Sequence, residues 1–444
     1  MSTKTLEYAI KGILLTGQDL YLSEIMADFH FICKSSDGSD ERIPVHKLLL
    51  AGISDVFRAM FHGWKEKVDV VLPDATAAEF KEFLQFFYLG RVKLTMDNIA
   101  KVMYLGDKYN VTECINACVK FLRQTLTDDN YCCGFWLAIL YNQSDLKRFC
   151  ELMIAINTKA VFSSASFLQC DKDVLGHILR MDTLTCSESK VFRACMEWVK
   201  STSGATELTR AIVQKCLGHL FYEFSFKSMT PQQFARLVPS YGRIFSVEEY
   251  SDITQSTAIQ HFKPNIFKQT PRTTNLYFDD MEKIECDRLV ALDFSRSPYC
   301  IKSIETTVFS VNEPLLLRQI EFSQVGEFKS NEYCAIVKLS TEIKIVQLTK
   351  SATSNVELSL YEGNTYLKSE LTYMTLSKPI LIRPGVMYEI QMKQTPTQNF
   401  CTGNILKTEV QMESNIIVQF HRDPIVGNDI VARGMIRKLE FYRF

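Results

Sequence analysis

The chain has 444 residues, enough for two to four domains of the usual ~100–200 residues each. Its 50 Lys+Arg nearly balance 51 Asp+Glu, for a formal charge of −1, and 46% of residues are hydrophobic. That is an ordinary globular composition, which argues against disorder and against a dedicated nucleic-acid binder, since the latter needs a basic excess to displace counterions.

In chain order, Leu6, Ala9, Ile10, Ile13 and Leu14 share one apolar face of a short predicted N-terminal helix, which has little reason to be amphipathic unless it packs on something. Met1–Gly12 also carries Lys4, Glu7 and Lys11 and lacks a continuous apolar run, so no secretory signal is expected. Asp28–Cys33 and Arg42–Val45 read as strands around the turn Ser36-Asp37-Gly38-Ser39. After His46 and Lys47 comes an amphipathic helix with Leu49, Leu50, Ile53, Val56, Phe57 and Met60 inward.

All 12 prolines fall outside residues 74–230, as an array of helices requires, because an interior proline costs ~3 kcal/mol. Thr76–Gly90 repeats Phe80, Phe83, Leu84, Phe87 and Tyr88 at helical spacing. Asp97 and Thr112 are candidate caps for helices carrying Ile99, Val102 and Met103, and Ile115, Val119 and Leu122. Further helices fit Asp129–Tyr141, Asp145–Ile156, Asp173–Arg180 and Glu188–Lys200.

Ser251–Thr274, with Pro264 and Pro271 among polar residues, reads as a linker. Beyond it the period changes to two: Val356, Leu358 and Leu360; Val386, Tyr388, Ile390 and Met392; Ile416, Val418 and Phe420; Leu439 and Phe441. Many short alternating strands predict a β-sandwich or a barrel-like domain.

The longest uncharged stretch, Asn130–Ser144, has 15 residues and is too short and polar to span a bilayer. The 14 cysteines have no CxxC spacing and are expected to be reduced thiols of a cytoplasmic or nuclear protein. No P-loop, GxGxxG, GxSxG or HExxH motif occurs, and the seven histidines are scattered, so no catalytic, cofactor or metal site is expected. His46, without a ligand pattern around it, reads as a structural histidine.

Residues 1–125 resemble a BTB/POZ domain. The run is Met26-Ala27-Asp28-Phe29-His30-Phe31, then Ile43-Pro44-Val45-His46-Lys47-Leu48-Leu49-Leu50-Ala51, Leu72-Pro73-Asp74, Phe83–Gly90 and Asp107-Lys108-Tyr109-Asn110-Val111. Residues 126–250 resemble a BACK domain, on Leu175–Leu184 and the helix Ser187–Trp198, with a helix pair at Thr127–Asn157. After a linker over 251–285, residues 286–444 look like a divergent PHR-type β-sandwich, on Thr307–Asn312, Lys378–Tyr388 and Leu439-Glu440-Phe441-Tyr442. The family's Gly-Leu-Tyr-Gly segment is replaced by Glu321-Phe322-Ser323-Gln324. The fold expected is therefore multidomain: an α+β BTB/POZ domain, an all-α BACK domain and an all-β PHR-like sandwich.

This resemblance implies a non-catalytic, substrate-recruiting adaptor of a cullin-3 RING ubiquitin ligase, with BTB and BACK on the cullin and the β domain on a protein substrate. Its hydrophobic-X-Glu cullin motif falls on Trp64-Lys65-Glu66, with Phe57, Met60, Phe61, Tyr104, Tyr109 and Asn110 beside it. Asp28 and Lys47 resemble the domain's charged pair, read as a fold or dimer determinant. The family also implies a homodimer in which the Leu6–Leu14 helix docks on the partner subunit. The alternative is a BTB scaffold or transcription-regulatory interaction protein without a ligase; zinc-finger spacing and kelch repeats are both absent from the sequence.

Overall fold

The computed structural model describes residues 17–63, 68–278, 281–292, 299–329, 332–335, 339–350, 355–368, 371–395, 400–412, 415–421 and 433–443. The chain divides into two compact units, Met1–Cys150 and Glu151–Phe444. The predicted helix bearing Leu6, Ala9, Ile10, Ile13 and Leu14 lies outside the described residues, as do Trp64 and Glu66.

In the first unit, strand β1 (Phe29–Lys34) runs antiparallel to β2 (Asp40–Val45) and parallel to β3 (Asp69–Thr76). Alternation turns Phe29, Phe31 and Cys33 to one face at no more than 1% exposure. Against it pack α1 (Lys47–Ile53), α2 (Asp55–Gly63) and α3 (Ala77–Leu89); Phe31 meets Phe57 at 5.9 Å and Phe80 at 4.9 Å between ring centroids. On α3 the periodic set Phe80, Phe83, Leu84, Phe87 and Tyr88 is buried. Thr76 and Glu79 form a capping box at its start, and Gly90 ends it in the left-handed region at φ 57°.

The one amphipathic helix expected after His46 is instead two. Ser54 is extended, at φ −118° and ψ 120°, and the helical phase restarts at Asp55. Ile53 is therefore exposed, while Leu50 and Phe57 stay buried. Helices α4 (Ile99–Lys108), α5 (Thr112–Thr125), α6 (Tyr131–Leu140) and α7 (Ser144–Ile156) follow. The expected caps are displaced by one: Asn98 precedes α4, and Thr112 is already helical behind Val111.

In the second unit, α8 (Lys172–Arg180), α9 (Glu188–Ser203), α10 (Arg210–Leu217) and α11 (Val247–Ala258) form a helical region with shorter helices between them. The inner side of α9 buries Val191, Phe192, Cys195, Met196, Trp198 and Val199. Rings of Phe192, Phe221, Phe226 and Phe245 close the core.

The stretch expected to be a linker is mostly packed. Helix α11 runs to Ala258, and the Asp252 carboxylate accepts the N–H groups of Asn265 at 2.8 Å and Ile266 at 3.2 Å. Phe267 inserts beside Phe226, 4.7 Å between centroids. Arg272 is buried, with its side chain 2% exposed: Nε donates to Glu188 Oε2 at 2.8 Å, Nη1 to the Met181 carbonyl at 2.6 Å and Nη2 to the Leu179 carbonyl at 2.9 Å. Thr273 bridges to Thr183, and the Phe278 ring then lies 5.0 Å from that of Tyr442. Residues 259–278 are thus a strap, pinned by a buried charge that local composition does not reveal.

The remainder is all β. A six-stranded antiparallel sheet orders β8 (Asn355–Leu367), β7 (Leu339–Lys350), β10 (Met387–Thr395), β5 (Ile304–Val311), β12 (Ile417–His421) and β11 (Glu409–Gln411). A four-stranded antiparallel sheet orders β9 (Thr372–Ile382), β6 (Leu315–Phe322), β13 (Ile436–Arg443) and β4 (Glu282–Asp287). Phe309 of the first sheet meets Phe441 of the second at 6.4 Å, within a core that includes Tyr388, Ile390, Met392, Val418, Phe420 and Leu439. Smaller sheets flank these two. The alternation of Leu358 and Leu360 does not mark a core face in the same way: Leu358 is 55% exposed, because β8 is an edge strand paired across a bulge at Ile345/Val346. Pro379 sits where β9, also an edge strand, shifts register against β6.

Candidate functional site

The surface named by the sequence is built around Ser54. Its N–H closes α1 on the Leu50 carbonyl at 2.9 Å. Its hydroxyl donates to the Tyr109 carbonyl at 2.6 Å and accepts the Phe57 N–H at 3.1 Å. One buried serine therefore ties the α1–α2 junction to the end of α4.

Behind α2 lies an aromatic stack. The Phe57 ring lies 4.1 Å from Tyr109, nearly parallel, and 5.8 Å from Phe61. Phe57 is fully buried, Tyr109 is 1% exposed and Phe61 8%. These three, expected beside the contact, are core side chains that hold the surface from beneath, because the inward stripe of α2 returns every three to four residues. Burial pushes the Tyr109 phenol well above its ordinary range. Met60 is half-buried, and Asp55, Arg58, Ala59 and His62 form the outer face of α2. Asn110 is exposed in the left-handed region, φ 51°, where the turn from α4 to α5 closes with Val111 N–H on the Gly106 carbonyl at 2.7 Å.

Next to the stack sits a polar cluster. Asp74, from β3, accepts the Tyr104 hydroxyl and the Lys108 ammonium, the latter at 2.6 Å, while Lys101 donates to the Asp74 carbonyl at 3.1 Å. Burial would raise the Asp74 pKa, but the hydrogen bonds from Lys108 and Tyr104 outweigh it and hold the carboxyl below its ordinary value. The same carboxylate pushes the Tyr104 phenol up to about 12. Lys101 and Lys108 also lie 5.3 Å and 6.0 Å from the Tyr104 ring centroid. The arrangement offers a rigid floor with aromatic and charged groups at its rim, suited to holding a protein surface. The motif pair Trp64 and Glu66 begins directly after Gly63, outside the described residues.

His46 has its two ring nitrogens occupied: Nδ1 lies 2.9 Å from the Tyr88 hydroxyl and Nε2 2.8 Å from the Ile25 carbonyl. Nε2–H therefore donates and Nδ1 accepts, which is a structural role. Asp28 accepts the Lys47 backbone N–H at 2.8 Å and so caps α1. Among the described residues, no group of three or more His, Cys, Asp or Glu is placed to hold a metal, and no helix is long and apolar enough to cross a membrane.

A second surface escaped the sequence reading. The His46–Ile25 bond holds the 22–27 turn against the start of α1, and in these two segments Ile25, Met26 and Leu48 are 65%, 85% and 83% exposed. Leu22 and Met26 have φ of 56° and 58°, uncommon for such side chains. The inward stripe of Leu49 and Leu50 already leaves Leu48 outside it, but periodicity gives no sign of the exposed turn at Ile25 and Met26.

Residues 18–126 match the family model described as BTB/POZ domain, and residues 132–239 that described as BTB And C-terminal Kelch, abbreviated BACK. Human BTB/POZ domain-containing protein 3 is 30% identical over 238 residues, 53% of this chain and 45% of that protein. BTB/POZ domain-containing protein 6-A of Danio rerio is 32% identical over 220 residues, 49% of this chain and 41% of that protein. The match thus spans less than half of these relatives' own length. Among solved structures, the BTB domain of human gigaxonin aligns at 21% identity with a TM-score of 0.21, over 27% of this chain and 99% of that one.

Proposed function

The chain carries a BTB/POZ domain followed by a BACK domain, and from that premise we propose that it is a non-catalytic adaptor of a cullin-3 ubiquitin ligase. The α2 surface, with Met60, Tyr104 and Asn110 at its rim, meets the cullin together with Trp64 and Glu66. The C-terminal β-sandwich, PHR-like in architecture, recruits a protein substrate. Chemistry takes place on the ligase's other subunits.

The observation that carries this reading is the backing of α2: the Phe57–Tyr109 stack and the Ser54 hydrogen bonds hold its outer face in place before any partner arrives. A preorganised face loses little on binding, and a tryptophan with a neighbouring carboxylate adds apolar area and one directed polar contact. Isothermal titration of the full chain with the N-terminal domain of cullin-3 is expected to give a submicromolar Kd. Changing Trp64→Ala and Glu66→Ala together is expected to weaken it at least tenfold, about 1.4 kcal/mol. No heat from the unaltered chain, at concentrations well above that range, would leave the scaffold reading without a ligase.

The adaptor is further proposed to be a homodimer. The exposed Ile25, Met26 and Leu48 supply an apolar face, and the apolar stripe of Leu6, Ala9, Ile10, Ile13 and Leu14 supplies its cover from the partner subunit.

A further inference from the structure

Twelve cysteines have described side chains, and nine of them are buried. The three partly exposed ones are Cys133, Cys170 and Cys216. Burial pushes the Cys133 thiol up, away from reactivity. The other two open onto the same place. Cys170, just before α8, and Cys216, near the end of α10, both line a cleft of about 830 Å³ in the helical region of the second unit.

The cleft is lined by the apolar Leu168, Ile212 and Trp198 and by the polar Gln169, Ser201, Thr202 and Ser203. It is also rigid: Trp198 is 2% exposed and its Nε1–H donates to the Cys170 carbonyl at 3.0 Å. Three charged residues line the cleft: Lys172, Lys215 and Asp171. Two lysines against one aspartate give the lining a positive balance, and Cys170 and Cys216 are its two partly exposed cysteines. Positive charge draws in anions.

We propose that this cleft is a thiol-modification site for small disulfides that carry carboxylates. A thiolate at Cys170 or Cys216 attacks one sulfur of the disulfide, forming a protein–ligand S–S bond. The original S–S bond breaks, and its electron pair leaves on the departing thiolate, which takes a proton from water. The incoming disulfide is the oxidant, so the exchange balances with no further reagent. Lys172 and Lys215 hold the ligand carboxylates. The proposal does not depend on the cullin or substrate reading.

The test uses the reduced full chain and two probes, the anionic aromatic disulfide 5,5′-dithiobis(2-nitrobenzoate) and the neutral 2,2′-dithiodipyridine, with peptide mass spectrometry to assign each adduct. Cys170 and Cys216 are expected to react at least tenfold faster than any of the nine buried cysteines. Lys172→Gln with Lys215→Gln is expected to slow the anionic probe at least fivefold and leave the neutral one within twofold. The chain with Cys170→Ser and Cys216→Ser serves as the blank, and thermal melting checks that every variant is folded. Equal rates at buried and cleft cysteines, or equal slowing of both probes by the lysine changes, overturn the proposal.

Discussion

Replacing Arg272 by alanine strips the donors from a site that water does not reach. The Glu188 side chain is fully buried and that of Arg272 is 2% exposed. After the change, the Ser225 N–H, 2.8 Å from Glu188 Oε1, remains as a donor to the carboxylate, and the Leu179 and Met181 carbonyls lose the guanidinium. Breaking a buried pair from one side costs about 3–5 kcal/mol, because a charge is left uncompensated in low dielectric. At roughly 2–4 °C per kcal/mol for a body of this size, the second unit is expected to melt roughly 10 °C lower. Differential scanning calorimetry measures the shift. Limited trypsin digestion reads the strap directly, since Lys268, which is followed by Gln269, should become an early cleavage site. Replacing both partners, Arg272→Met with Glu188→Leu, removes the stranded charge and is expected to cost less than Arg272→Ala alone. A shift under about 2 °C with no new cleavage at Lys268 would refute the idea that this pair fastens the strap.

Phe57→Ala is expected to cost about 3–5 kcal/mol in a denaturant titration of the first unit, as a core cavity does, whereas Phe57→Leu stays folded and binds cullin-3 within threefold of the unaltered chain; a folded Phe57→Leu that has lost binding would show the ring to be a contact. Asp74→Asn tests the polar cluster through its pH dependence. Because the folded Asp74 carboxyl titrates below its ordinary value, its stabilisation is present above about pH 4 and is lost as pH falls through the depressed folded pKa. The substitution should therefore cost about 1–2 kcal/mol at pH 7 and clearly less at pH 3 by chemical denaturation, and an equal cost at both would contradict the assignment. Met26→Glu with Leu48→Glu is expected to convert a two-chain mass in light scattering to one chain, and an unaltered chain that is already monomeric would end the dimer reading.

Much of the fold was legible because it depends on local spacing. Phe80, Phe83, Leu84, Phe87 and Tyr88 fall on one side of a helix wherever that helix is placed, and Tyr388, Ile390 and Met392 on one side of a strand. The resemblance to BTB/POZ and BACK domains, carried by ordered motifs, agrees with the family matches over 18–126 and 132–239. What periodicity could not reach were the features decided by partners far along the chain. The break at Ser54 is held by a carbonyl 55 residues away, so an apolar run that scans as one helix becomes two and Ile53 turns outward. Leu358 keeps the alternation of a buried strand but lies at a sheet edge, where a bulge and a missing neighbour leave it exposed. The strap is the clearest case. Polar residues and two prolines at 251–285 have the composition of a linker, and only a glutamate 84 residues earlier in the chain makes Arg272 a buried anchor. A sequence displays the period of its side chains; burial of a charge depends on what the rest of the chain brings to it, and that was decided by the tertiary structure.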